Sequence, residues 1–316
     1  MKEVVAGIDI GGTNTAIGIV DIDGKVLGES SIITTDYPEV ENFVEGLAAK
    51  ILELNGNKYE LRGIGIGAPN GNYNKGTIEL APNLAWKGIV PLAGMVEKRM
   101  KLKVSLTNDA NAAALGEMMF GGAKGMKDFI VLTLGTGLGS GIVVNGDVVY
   151  GHTGFAGEYG HVIMVPDGRD CGCGRQGCLE TYVSATGIVR TVQWLLSEMN
   201  DVSGLRVLHP ADISSRMIAD AADNNDPVAL AAFDFTAEML ARAIVNAVVV
   251  TSPEAIFLFG GLSRSGDLLL KPLRKYVDEF IQPVFRNTVA ILQSGIRENN
   301  AAVLGSAALA WKEIQK

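Results

Sequence analysis

The chain has 316 residues, 47% hydrophobic and 20% charged, which excludes a disordered or fibrous protein and gives enough length for two domains. Its 27 Lys and Arg against 35 Asp and Glu leave a formal charge of −8, an argument against nucleic acid as a partner. Three Cys, all between Cys171 and Cys178, are too few and too crowded for a secreted disulfide framework. The first strand begins almost at once, with no apolar signal core before it, and no stretch approaches the roughly 20 apolar residues of a membrane helix. A cytoplasmic protein without a membrane partner is expected.

Residues 4–10, 16–20 and 26–31 read as three strands broken by Gly11-Gly12-Thr13 and Asp23-Gly24, a β-meander. Val44, Leu47, Ile51 and Leu54 recur at helical spacing within 40–54, and 61–66 reads as a buried strand. Helices follow over 91–100 and 111–119, separated by a strand at 104–107. The meander then returns over 129–134, 139–144 and 148–150, broken by Gly135-Thr136-Gly137 and Asn145-Gly146, so the two half-chains look like copies of one unit. A strand is expected at 161–165 and another at 255–259, with helices over 185–199, 211–222, 227–250, 271–281 and 300–313. Alternating strands and helices give an α/β protein of two lobes. Residues 1–120 form the smaller lobe and 121–299 the larger, with the terminal helix 300–316 returning to the first. Hinges are placed near Gly121-Gly122 and before Asn300.

Asp9-Ile10-Gly11-Gly12-Thr13-Asn14 puts a carboxylate at a strand end and two glycines in the turn, where backbone N–H groups can approach an anion; an ordinary hairpin explains the hexapeptide equally well. Leu134-Gly135-Thr136-Gly137-Leu138-Gly139 repeats the pattern in the second meander, and two such turns could hold nucleotide phosphates from opposite sides of a cleft. The Gly172, Gly174, Gly177 match to the dinucleotide fingerprint follows no strand and opens no helix, so it carries no such meaning. Asn108-Asp109-Ala110-Asn111 ends a strand and opens a helix, making Asp109 either a general base at a sheet edge or a helix cap. His161 with Cys171, Cys173 and Cys178 has the composition of a closed Cys₃His zinc site, a structural ion without an open position. Glu158, Glu180 and Asn83 have hydroxyl-binding chemistry, although each taken alone reads more simply as an exposed polar residue, and Gly260-Gly261 ends a buried strand where a flat adenine could lie or the chain merely turns tightly into a helix.

In this order, Asp-x-Gly-Gly-Thr-Asn, Asn-Asp-Ala-Asn, Leu-Gly-Thr-Gly-x-Gly, Gly-Glu-x-Gly-His, Cys-Gly-Cys-Gly-x-x-Gly-Cys-Leu-Glu and Phe-Gly-Gly resemble the ROK family of sugar kinases and repressors. The resemblance covers almost the whole chain and implies a two-lobed, actin-like (hexokinase-type) ATPase fold with duplicated β-meander/helix halves. It implies ATP-dependent phosphorylation of a hexose at its 6-hydroxyl, glucose first, with N-acetylmannosamine, fructose or a non-catalytic sugar-responsive regulator as alternatives.

By the same resemblance Asp109 is the catalytic base, and Asn83, Asn108, Glu158, His161 and Glu180 contact the sugar. Gly11, Gly12, Thr13, Asn14, Thr136 and Gly137 meet the ATP phosphates, Asp9 orients hydrated Mg²⁺, and Gly260 and Gly261 border adenosine. His161, Cys171, Cys173 and Cys178 hold structural Zn²⁺, with the second ring nitrogen of His161 aimed at a sugar hydroxyl. A homodimer is implied by resemblance alone. Two departures stand out: Ala68-Pro69-Asn70-Gly71-Asn72-Tyr73 replaces the family's common Pro-Gly-Pro loop, and Asp9 lies too near the start for the repressors' amino-terminal DNA reader.

Overall fold

The first strand, β1 (Glu3–Ile10), buries Val4, Val5, Ala6, Ile8 and Ile10 in a nearly continuous run, the signature of a strand covered on both faces. It pairs antiparallel with β2 (Asn14–Val20), which pairs antiparallel with β3 (Val26–Ile33). Helix α1 (Val40–Asn55) turns Phe43, Val44, Leu47 and Ile51 inward and stops where Gly56 takes a left-handed φ of 53°. Strand β4 (Glu60–Gly67) returns parallel to β1. The coordinates are those of a computed structural model, which describes residues 1–296 and 298–316, with backbone alone for 298–300.

Three short strands, β5 (Gly71–Asn72), β6 (Thr77–Glu79) and β7 (Ile89–Val90), form a small sheet that periodicity could not reveal, because each is only two or three residues long. Helix α2 (Leu92–Met100) and strand β8 (Val104–Thr107) follow, β8 lying parallel to β4. Helix α3 (Asp109–Phe120) starts two residues before its expected position, because the Asn108 side chain accepts a 2.7 Å hydrogen bond from Asn111 N and serves as the cap.

The second half contains β9 (Phe129–Leu134), β10 (Leu138–Val144) and β11 (Asp147–Val148), then α4 (Ala185–Glu198), α5 (Ser215–Asp223) and α6 (Pro227–Thr251). It continues through β12 (Ala255–Phe259), α7 (Asp267–Phe280) and β13 (Ala290–Gln293), and the chain ends in α8 (Glu298–Gln315). The expected strand at 161–165 is absent: Tyr159–His161 is a 3₁₀ turn, and a single bridge links Ile163 to Cys178. Here the backbone folds around the cysteine loop instead of joining a sheet. The helix expected over 211–222 is interrupted after the 3₁₀ turn Pro210–Asp212, and α5 restarts behind its own cap, Ser214, which accepts from Met217 N.

The duplication is visible in strand order. One sheet runs β3-β2-β1-β4-β8 and the other β11-β10-β9-β12-β13, so each meander is extended by two strands on the side of its first member. The strands joined through β1–β4–β8 and β9–β12–β13 are parallel.

The chain divides into two compact units, one of Met1–Lys127, Gly141–Gly157 and Ser294–Lys316, the other of Asp128–Ser140 and Glu158–Gln293. This differs from cuts after residues 120 and 299 chiefly in giving 141–157 to the first unit, and specific contacts explain why. Lys312 on α8 donates to Gly146 O at 2.6 Å, Tyr150 stacks on Tyr73 with ring centroids 4.0 Å apart, and Gly141 lies against Ala110 and Ala114 of α3. The hinges expected near Gly121-Gly122 and before Asn300 correspond to passages between the units at 127/128 and 293/294.

Within the first unit α8 lies directly on the sheet. A Cβ on Gly7 or Gly65 would stand 2.2 Å from Val303 O or 1.8 Å from Ser306 O, so these strand glycines are required by the approach of the helix backbone. No helix among the described residues is long and apolar enough to cross a membrane.

Candidate active site and zinc loop

In the first unit, β1 and β8 end on the same edge of one sheet, with β4 between them. β1 delivers Asp9 near its end, and the end of β8 delivers Asn108 and Asp109. Desolvation, then the charge of Asp109, raises the Asp9 carboxyl to about 6. Asp109 keeps an exposed side chain, yet enough protein surrounds it for desolvation to raise its carboxyl too, although Ala110 N donates to its Oδ1 at 2.8 Å. Two mutually repelling carboxylates at one sheet edge are a place where a proton or a hard cation relieves an existing cost. Capping is the task of Asn108, which leaves the Asp109 carboxylate free of that role.

The turn after β1 is closed by Gly11 N donating to Asn14 O at 2.9 Å, and Thr13 and Asn14 are exposed. Gly12 has a further reason to be glycine: a Cβ there would lie 2.8 Å from Asn83 O. The turn therefore abuts Asn83, a sugar contact by the family resemblance alone. Gly71 is equally constrained, since its Cβ would stand 2.3 Å from Thr107 O. That glycine holds the 70–79 loop against the strand end that carries Asn108. Sequence inspection left its role open, because the partner backbone is 36 positions away.

In the second unit, the turn between β9 and β10 leaves Thr136 exposed and Gly135 with open space where a side chain would be, while Gly135 N donates to Gly137 O at 3.0 Å. Gly137 abuts Glu180, whose Oε2 would lie 2.6 Å from an added Cβ. The other oxygen of Glu180 accepts from the Cys171 thiol at 3.0 Å and lies 3.7 Å from His161 Nδ1. Glu158, the residue that follows the 141–157 segment, is exposed just before the turn carrying His161.

The donor atoms of His161, Cys171, Cys173 and Cys178 all fall within 4.8 Å of one another. Tetrahedral Zn–S bonds of about 2.3 Å put ligand atoms about 3.8 Å apart. The Cys173 and Cys178 sulfurs are 3.7 Å apart, and Cys171 Sγ is 3.7 Å from His161 Nδ1. Burial pushes the Cys171 and Cys178 thiols up, whereas at Cys173 hydrogen bonds from Arg175 and its neighbour thiols outweigh burial and bring it down to about 6. A divalent cation is what would let all three serve as thiolates. Donor chemistry and spacing thus both fit zinc, with Nδ1 as the histidine ligand and Nε2 left over. His152 and His209 are exposed and apart from this cluster.

After β12, Gly260 takes a φ of 98° and its Cβ would collide with Leu134 O at 2.7 Å, so this glycine is required by the turn itself. Gly261 is different: nothing lies within 4 Å of its missing Cβ, and it lines a cavity of about 520 Å³ with Leu262, Arg264, Arg216 and Asp220. Arg216 and Asp220, on α5, line this cavity although no sequence motif signalled them.

The sequence profile of the ROK family matches residues 5–313. The chain is 35% identical to the glucokinase of Thermotoga maritima over 99% of both chains. It resembles the crystal structure of a ROK family glucokinase from Streptomyces griseus in complex with glucose and AMPPNP, with a TM-score of 0.80 and 35% identity, covering 98% of this chain and 99% of that one. It also resembles a ROK family transcriptional regulator, a homologue of the E. coli MLC protein, with a TM-score of 0.87 and 25% identity over 99% of this chain and 79% of the regulator. With motifs, duplicated sheets and full-length relatives in agreement, the chain belongs to the ROK family.

Proposed function

We propose that this chain is an ATP-dependent glucokinase, transferring the γ-phosphoryl group to the 6-hydroxyl of glucose with Asp109 as general base. The observation that carries the reading is the Asp9/Asp109 pair at one sheet edge, each carboxyl raised by desolvation and only Asn108 engaged in capping the helix. A raised carboxyl is better matched to accepting a hydroxyl proton near neutrality than an ordinary one. The near full-length likeness to glucokinases supports the substrate.

Phosphoryl transfer demands positioning and charge neutralisation more than covalent chemistry. The turn backbone of Gly11, Gly12, Thr13 and Asn14 and that of Thr136 and Gly137 are the phosphate-binding groups of this reading. Asp9 is the hard oxygen ligand suited to hydrated Mg²⁺, which supplies charge neutralisation when bound. Asn83, Asn108, Glu158, Glu180 and His161 Nε2 hold the sugar hydroxyls. Gly261, Arg216 and Asp220 line the cavity proposed for adenosine, beside Gly260. Zn²⁺, when bound by His161, Cys171, Cys173 and Cys178, cross-links the loop and fixes the imidazole. Homodimerisation belongs to the same proposal, and light scattering during size exclusion tests it.

The test is ADP release with ATP and Mg²⁺ over glucose, mannose, fructose and N-acetylmannosamine, compared as kcat/KM. Glucose is expected to lead; turnover indifferent to sugar would overturn the reading. The likeness to the regulator favours a second reading, sugar binding without catalysis. Calorimetric glucose binding with no ADP release would select it.

A further inference from the structure

The backbone passes between its two units at 127/128, 140/141, 157/158 and 293/294. Segments next to the first and last of these passages are held by one side chain. Glu117, in the third turn of α3 and only 1% exposed, accepts through Oε2 from Gly122 N at 2.8 Å and from Gly295 N at 3.3 Å. Its other oxygen accepts from the Ser294 hydroxyl. The packing leaves no slack: a Cβ on Gly121 would lie 2.2 Å from Glu117 Oε2, and one on Gly295 would lie 2.7 Å from Gly122 N. The helix itself is clamped to α8, since a Cβ on Gly305 would stand 2.5 Å from Ala112 O.

Gly122 and Gly295 are both exposed, so water would satisfy their N–H groups if the carboxylate were gone. Backbone bonds from Gly121 N and Ala123 N to Glu117 O at 3.1 and 3.2 Å start the departing segment 121–127, and the charge-assisted bonds of the Glu117 carboxylate join that segment and the returning segment 294–296 to one point on α3. That helix begins with Asp109.

We propose that Glu117 is a positioning residue for phosphoryl transfer. It anchors two of the four backbone segments at which the chain leaves or re-enters the first unit to the helix that carries the base, and so fixes that helix and its Asp109 while touching neither ligand. The proposal rests on Asp109 being the base.

The test compares Glu117→Ala and Glu117→Gln with the intact enzyme, by steady-state kinetics below the melting temperature and by hydrogen–deuterium exchange. Glu117→Ala is expected to lower kcat at least about tenfold, the scale of a misplaced catalytic group, with KM for glucose and ATP within about threefold. Deuterium uptake rises over 121–127 and 294–296 and stays unchanged in β1 and β4. Glu117→Gln restores kcat to within about threefold, because its amide oxygen can face both N–H groups while its nitrogen donates to Ser294 Oγ. A folded Glu117→Ala with kcat within about twofold of the parent, or a Gln variant as impaired as Ala, overturns the proposal. Should Glu117→Ala fail to fold, Glu117→Asp withdraws the same carboxylate by one methylene; lower kcat with faster uptake supports the proposal, and parental kcat overturns it. Asp109→Asn is measured alongside. If it stays active, the assignment of the base fails; if it is inactive while Glu117→Ala is normal, only the positioning role fails.

Discussion

The two glycine turns, Gly11-Gly12 in the first unit and Gly135-Thr136-Gly137 in the second, share a local pattern but lean on different kinds of neighbour. Gly12 abuts the backbone carbonyl of Asn83, whereas Gly137 abuts the carboxylate end of Glu180. A carbonyl fixed in the chain cannot yield without moving its loop, while the far end of a side chain can swing. Glu180 is nevertheless restrained, because the oxygen that faces Gly137 also accepts from Leu138 N at 3.4 Å. The comparison teaches that a turn of one chemical type is backed by fixed backbone in one unit and by a tethered side chain in the other.

If Asp109 in the first unit supplies chemistry and Glu180 in the second supplies binding, Asp109→Asn should lower kcat at least about a hundredfold with its melting temperature retained. In contrast, Glu180→Gln should raise the glucose KM about tenfold, the worth of one charge-assisted hydrogen bond, with kcat nearly kept. Equal kcat losses in the two variants would break the comparison.

Metal removal should act on the second unit alone. Elemental analysis is expected to find one zinc per chain, and chelation should raise the glucose KM about tenfold or more and loosen 158–180 in hydrogen–deuterium exchange, leaving β1 and β4 protected. Full activity in zinc-free protein would remove the metal from the sugar site. The glycines test the two neighbours directly. Gly12→Ala must displace backbone, costing about 1–3 kcal/mol and lowering kcat/KM about tenfold, whereas Gly137→Ala should cost less and act mainly on glucose KM.

The smallest effect concerns Asp9. Its carboxyl is raised to about 6 in the folded chain, so between pH about 4 and 6 the native state binds more protons than the unfolded one and stability falls as pH rises. Asp9→Asn removes that fall, and its melting temperature should exceed the parent's by a few degrees at pH 7, a gain of about 3 kcal/mol at most, with the difference vanishing below pH about 4. A constant difference across pH would show that burial of Asp9 carries no such cost. In the intact enzyme, activity should decline as pH drops through about 6, because the protonated acid is a poor cation ligand.

Local chemistry was legible in the sequence wherever residues close in the chain do the work. The meander strands, the helix periodicity of α1 and the Cys₃His set within eighteen positions all depend on near neighbours, as does the pairing of Asp109 with a strand-to-helix junction. What only the tertiary structure decided are the encounters between distant segments. Gly12 meets Asn83, Gly71 meets Thr107, Gly65 meets α8, Glu117 meets Ser294, and residues 141–157 join the first unit through Lys312 and Tyr73. No period or spacing encodes such meetings, because a missing Cβ reads the same in the sequence whether it makes room for a turn, a helix backbone or a ligand, and packing alone supplies the neighbour.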